Sequence, residues 1–253
     1  MASRVCLALQ DEAERVLYRE VTLHRLPQLR SLQRALKRVR PRAQFIQRLN
    51  IDDHGGLAGC AADIKEVLRM LTNLRHLTLH LGALWTKANQ YRNVLRILSK
   101  CAFSLEWFEG NYYPGDNIVA FFRRHQDIVA LKIDTPEYVD EDGRADFELE
   151  PHSDDVEVPS NVLPRLRCLY TSPYLARSAF CAPRAVTHLD PGPKPVGEDE
   201  LHEVLSTFRD LLVKLKYARS PPYIGEAVRS PLRALHLISM PKLEHLEIGR
   251  AHV

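Results

Sequence analysis

Leu74-Arg75-His76-Leu77-Thr78-Leu79-His80 is the stretch on which the fold turns. Its second half alternates, which in an extended chain sends Leu77 and Leu79 to one face and His76, Thr78 and His80 to the other. That describes a short strand with one buried face, preceded by a further apolar residue, Leu74. Working outward, the same unit of apolar, two variable, apolar, one variable, apolar recurs along the chain. It is found as Ile46-x-x-Leu49-x-Ile51, Leu105-x-x-Phe108-x-Gly110, Ile128-x-x-Leu131-x-Ile133 and Leu166-x-x-Leu169-x-Thr171. It continues as Val186-x-x-Leu189-x-Pro191, Leu212-x-x-Leu215-x-Tyr217 and Leu243-x-x-Leu246-x-Ile248. Two units are degenerate, with Gly110 and Pro191 in the last apolar slot.

The central apolar residues are spaced by 28, 31, 23, 38, 20, 26 and 31 positions, close to the period of leucine-rich repeats. Between the strands lie segments with helical spacing. Residues 60–71 carry Ile64, Val67, Leu68 and Leu71; 89–100 carry Val94, Leu95 and Leu98; 198–208 carry Leu201, Val204, Leu205 and Phe208; and 117–124 form a shorter candidate. Strands joined by crossover helices pair in parallel with right-handed connections, and repeated units of this kind stack into a curved solenoid. The expected fold is therefore α/β: a leucine-rich-repeat solenoid with its parallel sheet on the concave side, helices on the convex side, and a short N-terminal helical segment. A doubly wound sheet is the other fold that alternates strand and helix. Residues 24–246 form the expected solenoid. Its long 38-residue step contains an acidic insertion, 134–160, in which 11 Asp and Glu stand against the single Arg144. Between Tyr217 and Leu243, Leu232-x-x-Leu235-x-Leu237 reads either as an extra strand or as the convex part of the preceding repeat.

If the apolar slots face the core, the variable ones line the open face in columns, because neighbouring strands lie about 4.8 Å apart. One column reads Arg48, His76, Trp107, Ala130, Cys168, His188, Lys214, and the next Asn50, Thr78, Glu109, Lys132, Tyr170, Asp190, Lys216. Trp107 and Tyr170 are large aromatics on a polar surface, the residue types that anchor protein interfaces. The alternative for Trp107 is that it folds into the core beside Phe108. A protein target on this concave face is the expected partner.

With 45% hydrophobic and 26% charged residues the chain has material for a long core. No apolar run reaches the roughly 18 residues of a membrane span, and the opening Val5–Leu9 is cut short by Gln10, Asp11 and Glu12, so neither a membrane partner nor a signal peptide is expected. A cytoplasmic or nuclear location follows. The five cysteines are odd in number and contain no C-x-x-C pair, which points to reduced thiols. The net charge of +3 hides an asymmetry: residues 1–50 hold 11 Arg and Lys against 4 Asp and Glu. Part of that surplus is a helix with Leu29, Leu32, Leu36 and Val39 on one side and Arg30, Arg34, Lys37 and Arg38 on the other, ended by Arg40, Pro41 and Arg42. Its basic side reads as a solvated face, with an acidic partner or the chain's own acidic insertion as alternatives; without interleaved aromatics, nucleic acid is not the expected partner.

The motifs of nucleotide, acyl and zinc chemistry, G-x-x-x-x-G-K, G-x-G-x-x-G, G-x-S-x-G and H-E-x-x-H, do not occur. A non-catalytic chain with no cofactor and no metal is therefore expected. His76 and His80 would suit a metal on a helix, but on a strand they stand about 13 Å apart and read as surface histidines. Asp52-Asp53-His54-Gly55-Gly56 reads as a turn before it reads as a metal loop.

The opening from Arg4 to Leu23 resembles the second half of an F-box in fungal F-box/leucine-rich-repeat proteins. There a late helix of the box ends in a Leu-Tyr-Arg-Glu/Asp-Val-like sequence that leads directly into the repeats, and here that ending is Leu17-Tyr18-Arg19-Glu20-Val21. The family's opening helix, normally begun by a Leu-Pro pair, has no counterpart in this sequence. In the family it forms part of the surface docked to the Skp-type adaptor of an SCF ubiquitin ligase. The resemblance implies a partial F-box-like segment over 1–23 and a substrate-recognition role, with the adaptor as partner only where the box is complete. A scaffold with no ligase link is the alternative. The last residues, 247–253, read like a translated sequencing adapter. They are expected to be a non-native tail on a protein that continues further, leaving the last repeat with an exposed apolar edge.

Overall fold

Among the described residues nine short strands lie side by side in chain order, every neighbouring pair parallel, in a single sheet. They are β1 (Glu20–Leu23), β2 (Arg48–Asp53), β3 (His76–Leu81), β4 (Trp107–Asn111), β5 (Ala130–Asp134), β6 (Cys168–Thr171), β7 (His188–Asp190), β8 (Lys214–Arg219) and β9 (His245–Arg250). The computed structural model describes residues 2–53, 60–81, 94–111, 116–134, 157–180, 184–192, 198–219 and 238–250. A doubly wound sheet would reverse its strand order at a switch point. This sheet never does, so the repeat solenoid is the fold.

The register puts the central apolar residue of each unit in one row, Val21, Leu49, Leu77, Phe108, Leu131, Leu169, Leu189, Leu215 and Leu246. From Leu49 to Leu215 each is essentially excluded from solvent, a burial worth about 1.5–3 kcal/mol per side chain. A backbone ladder stitches the strand entrances together. The Gln47 carbonyl accepts from both Arg75 and His76, that of Arg75 from Glu106 and Trp107, that of Glu106 from Val129 and Ala130, and the pattern runs on to Val213. One carbonyl ahead of each strand therefore fixes the start of the next, and the register is set locally, repeat by repeat.

The connecting segments cover the other face. They include α2 (Leu26–Arg38), α4 (Ala61–Met70), α5 (residues 94–98), α6 (Asp116–Arg124), α7 (Pro173–Ser178) and α8 (Glu198–Phe208), with α2 packed on α4 and α7 on α8. Leu29, Leu32 and Leu36 of α2 are buried and its basic side is exposed, as the periodicity requires; Lys37 of that side lies 2.5 Å from Glu66. Helix α7 was not legible from hydrophobic spacing. Its signal is Ser172-Pro173: the Ser172 hydroxyl accepts from the Leu175 N–H at 3.4 Å, and proline opens the helix.

The solenoid also begins earlier than its repeat pattern suggested. Helix α1 (Ala2–Arg19) is followed at once by β1, inside the stretch 1–23 read as helical. Tyr18-x-x-Val21-x-Leu23 is the same unit with an aromatic in its first slot, and Leu23 is buried. At the other end β9 runs through Glu247 to Arg250, so the first residues of the 247–253 tail pair with β8. Leu246, in the row whose other leucines are sealed, is 46% exposed. Gly110 takes its slot between Leu79 and Ile133. Pro191, lacking an N–H, ends β7 after three residues, and Gly192 turns the chain at φ +79°. Residues 157–160 at the end of the acidic insertion are tied down: Val158 is buried and bonded to Ala179, and Arg184 donates to the carbonyls of Val158 and Pro159. The rest of the insertion and the Leu232–Leu237 unit lie outside the described residues.

Candidate functional site

The open face of the sheet is built from the residues that the alternation left out of the core. The register runs Arg48, His76, Trp107, Ala130, Cys168, His188, Lys214 in one column. Asn50, Thr78, Glu109, Lys132, Tyr170 and Asp190 follow in the next, and Lys216 beside Glu247 continues it.

Trp107 and Tyr170 come from different columns and sit two strands apart, yet their ring centroids are 5.7 Å from each other at a 45° tilt. Ala130 lies in the register between Trp107 and Cys168, and its small side chain leaves room for the two rings to lean together over β5. Trp107 thus stays on the open face, half-buried against Tyr170, while its neighbour Phe108 fills the core. Burial raises the Tyr170 phenol and the Cys168 thiol above their ordinary values, so both are neutral here. His76, one strand away, is pushed down by burial and by Arg48, which favours its neutral form too. The result is an uncharged aromatic island.

Charge surrounds it in a largely self-paired pattern. Glu109 accepts from Lys132 Nζ at 2.6 Å, from His80 Nε2 at 3.1 Å and from the Thr78 hydroxyl at 3.5 Å. On its other side His80 lies 3.8 Å from Asp52, which in turn lies 3.9 Å from His24. Lys216 bridges Asp190 at 4.0 Å and Glu247 at 3.8 Å, and the Asp190 carboxylate is held by the Gly192 N–H at 2.9 Å. Two cations flank the island with little neutralisation. Arg48 has only a 3.9 Å pair with Glu20, and Lys214 has no ion pair among the described residues.

The columns were legible from alternation; the His24–Asp52–His80–Glu109 chain was not. Asp52 read as part of a turn, but β2 runs on through Asp53, which carries Asp52 into register with His80. Extending the alternation by one more step is the signal that finds it. Residues 54–56 of the candidate metal loop lie outside the described residues. Among those described, no three His, Cys, Asp or Glu converge as metal ligands.

This chain of pairs has a pH signature. The hydrogen bond from His80, joined by Lys132, holds the Glu109 carboxyl at about 2, below its ordinary 4.5, and the bond to Glu109 raises His80 above its ordinary 6.5. A depressed carboxyl stabilises above pH 4.5 and loses its contribution as pH falls toward 2. A raised imidazole contributes fully below pH 6.5 and loses its contribution as pH rises through the folded value. Both contributions are therefore complete between those two ordinary values. Because His80 and Lys132 are each more than 40% exposed, solvent screening holds the sum to about 1–2 kcal/mol. Glu109→Gln is expected to lower stability by that amount at pH 5.5 and by much less at pH 3, measured by urea denaturation at each pH; equal losses at both pH values would contradict the assignment.

Helix α1 is mounted with Glu14 and Tyr18 toward the short helix α3 (Arg42–Phe45). Arg42 donates to both oxygens of Glu14 at 3.0 and 2.5 Å, and its guanidinium lies 5.2 Å from the Tyr18 ring centroid. That leaves Leu9, Ala13, Val16 and Leu17 facing solvent, with Leu17 72% exposed. Among the described residues no helix is long and apolar enough to cross a membrane.

No protein-family model matches the chain, and no curated protein matches it in sequence. Among solved structures, the fold is similar to that of the leucine-rich repeat-containing protein LegL7 from Legionella pneumophila, with a TM-score of 0.50 and 11% identity over 92% of this chain and 85% of that one. At such identity the likeness concerns the fold alone, a leucine-rich-repeat solenoid.

Proposed function

We propose that the chain is a non-catalytic protein-recognition module whose target lies on the open sheet face. One observation carries this reading: the Trp107–Tyr170 pair, two large uncharged rings gathered on a surface otherwise made of small, polar and charged side chains. Aromatic clusters at the centre of polar surfaces supply most of the affinity in protein interfaces. The flanking cations favour a target segment that sets an apolar side chain on the rings and acidic side chains toward Arg48 and Lys214. Arg48 is two strands from Trp107 and Lys214 four, about 10 and 19 Å at the spacing of a sheet.

The test is binding of partners enriched on the intact chain, repeated with Trp107→Ala and Tyr170→Ala. Each substitution is expected to weaken binding by about 2 kcal/mol or more, roughly 30-fold, while Arg209→Ala on the far side changes nothing. Partners held equally by the Trp107→Ala chain would refute the reading.

The outward apolar stripe of α1 favours a more specific role. A helix that turns Glu14 and Tyr18 toward α3 and exposes Leu9, Val16 and Leu17 is suited to dock another protein there. Together with the box-like ending Leu17-Tyr18-Arg19-Glu20-Val21, this supports a Skp-type adaptor as the occupant and a substrate-recognition subunit of an SCF-type ubiquitin ligase as the role. Purified adaptor should bind the full-length gene product where the box is complete, and lose it on Leu9→Glu/Leu17→Glu. No binding to that full-length product would leave the recognition module as a scaffold without a ligase link.

A further inference from the structure

A cleft lies beneath the C-terminal half of α1, away from the open face, with a volume of about 450 Å³. It is lined by Arg15, Arg19, Gln44, Phe45, Gln47 and Asn73. Among the described residues no carboxylate lines it. We propose that this cleft is an oxyanion site that takes a phosphomonoester, with the phosphoryl group between Arg15 and Arg19 and its organic part against Phe45.

The helix geometry explains why these two arginines are available. At 3.6 residues per turn Arg15 and Arg19 share a side of α1, adjacent to the Tyr18 side that faces α3 and away from the apolar stripe. Arg42 already satisfies Glu14, so the acid nearest that seam is occupied. Among the described residues Arg15 has one competitor, Glu12, at 3.7 Å with both side chains about two-thirds exposed, a weak pair that an incoming dianion displaces. Arg19 has no ion pair among the described residues. Two guanidinium groups together offer forked N–H donors matched to phosphate oxygens and a charge that matches a phosphomonoester dianion better than a single carboxylate.

The opposite wall is held in place by the fold. Gln47 donates its N–H to the Arg19 carbonyl at 3.0 Å, and its own carbonyl accepts from Arg75 and His76 at 2.9 and 3.0 Å. Asn73 Nδ2 donates to the Gln44 carbonyl at 2.9 Å. The side-chain amides of Gln44 and Gln47 thereby stand on fixed backbone and can donate to the ligand. The volume exceeds what a bare phosphate needs and falls in the range of small-molecule sites, and the half-buried Phe45 ring supplies an apolar surface for the ester carbon.

The experiment is calorimetric titration of the full chain with five probes: inorganic phosphate, phenyl phosphate, phenol, a short phosphoserine peptide and its unphosphorylated form. Phenyl phosphate is expected to bind saturably and more tightly than inorganic phosphate, with phenol inert. Arg15→Ala/Arg19→Ala should weaken it by about a hundredfold, the loss of charge-assisted hydrogen bonds from two donors. Gln44→Glu, which removes nothing from the core and adds repulsion, should weaken it as well. Tighter binding of the phosphopeptide than of phenyl phosphate would identify a phosphorylated protein as the source of the group; the reverse order would identify a small metabolite. Absence of saturable binding by any phosphate probe, or equal binding by the intact chain and by both variants, overturns the proposal.

Discussion

Replacing Phe121 by alanine is expected to destabilise the protein by about 3–5 kcal/mol and to split its unfolding into two steps. Phe121 is fully buried on α6, with its ring 4.7 Å from Phe108 of β4, 5.4 Å from Phe122 and 4.8 Å from His125. Phe122 continues the contact to Phe180, 6.2 Å away beyond α7. These rings join the middle repeats, and in a solenoid each repeat is stabilised mainly by its interfaces with its neighbours. A cavity there removes packing from both sides of one interface at once. Urea denaturation of Phe121→Ala should show an early transition for one half of the array and a later one for the other. A single transition shifted by less than about 1 kcal/mol would mean that the ring cluster is not the coupling element it is taken to be.

The second large effect is acid sensitivity at His125. Its ring is wholly buried, stacked 5.6 Å from Phe103, with Nε2 donating to the Leu98 carbonyl at 3.1 Å and Nδ1 buried without a partner among the described residues. Burial, with the charge of Arg124 nearby, pushes the imidazole down to about 4 from its ordinary 6.5. The unfolded chain therefore binds a proton that the folded chain refuses. Stability falls as pH drops below 6.5 and stops falling, for this group, below about 4. At about 1.4 kcal/mol per pH unit the loss is about 2–4 kcal/mol. His125→Phe keeps the stack and removes the titration, at a cost of about 1 kcal/mol at neutral pH for the lost hydrogen bond. Denaturation midpoints from pH 7 to 4 should then lie nearly flat for the variant over a range where the natural chain weakens steeply. Parallel slopes for the two proteins would assign the acid sensitivity elsewhere.

The repeat was readable because its signal is local. Two periodicities, alternation within seven residues and a helical stripe between them, are dictated by backbone geometry whatever the neighbours are. Where the signal was missed, it was present in altered dress: an aromatic stands in the first slot of the Tyr18-x-x-Val21-x-Leu23 unit, and α7 is too short to show a stripe. Trp107 posed a different problem. Alternation sends it outward, but a ring that large reaches either layer, and its choice rests on a tyrosine 63 positions away.

From the order of residues alone came the parallel strand sequence, the inward row from Leu49 to Leu246 and the two outward columns, since each depends only on which side of a pleat a residue occupies. The folded molecule alone decided what meets across strands: Trp107 leaning on Tyr170 above Ala130, Glu109 gathering His80 and Lys132, and Arg15 and Arg19 closing on Gln47. Those encounters depend on how long side chains lean diagonally over a register and on how α1 settles against α3. Both are set by packing of the whole array, which no short stretch of chain encodes.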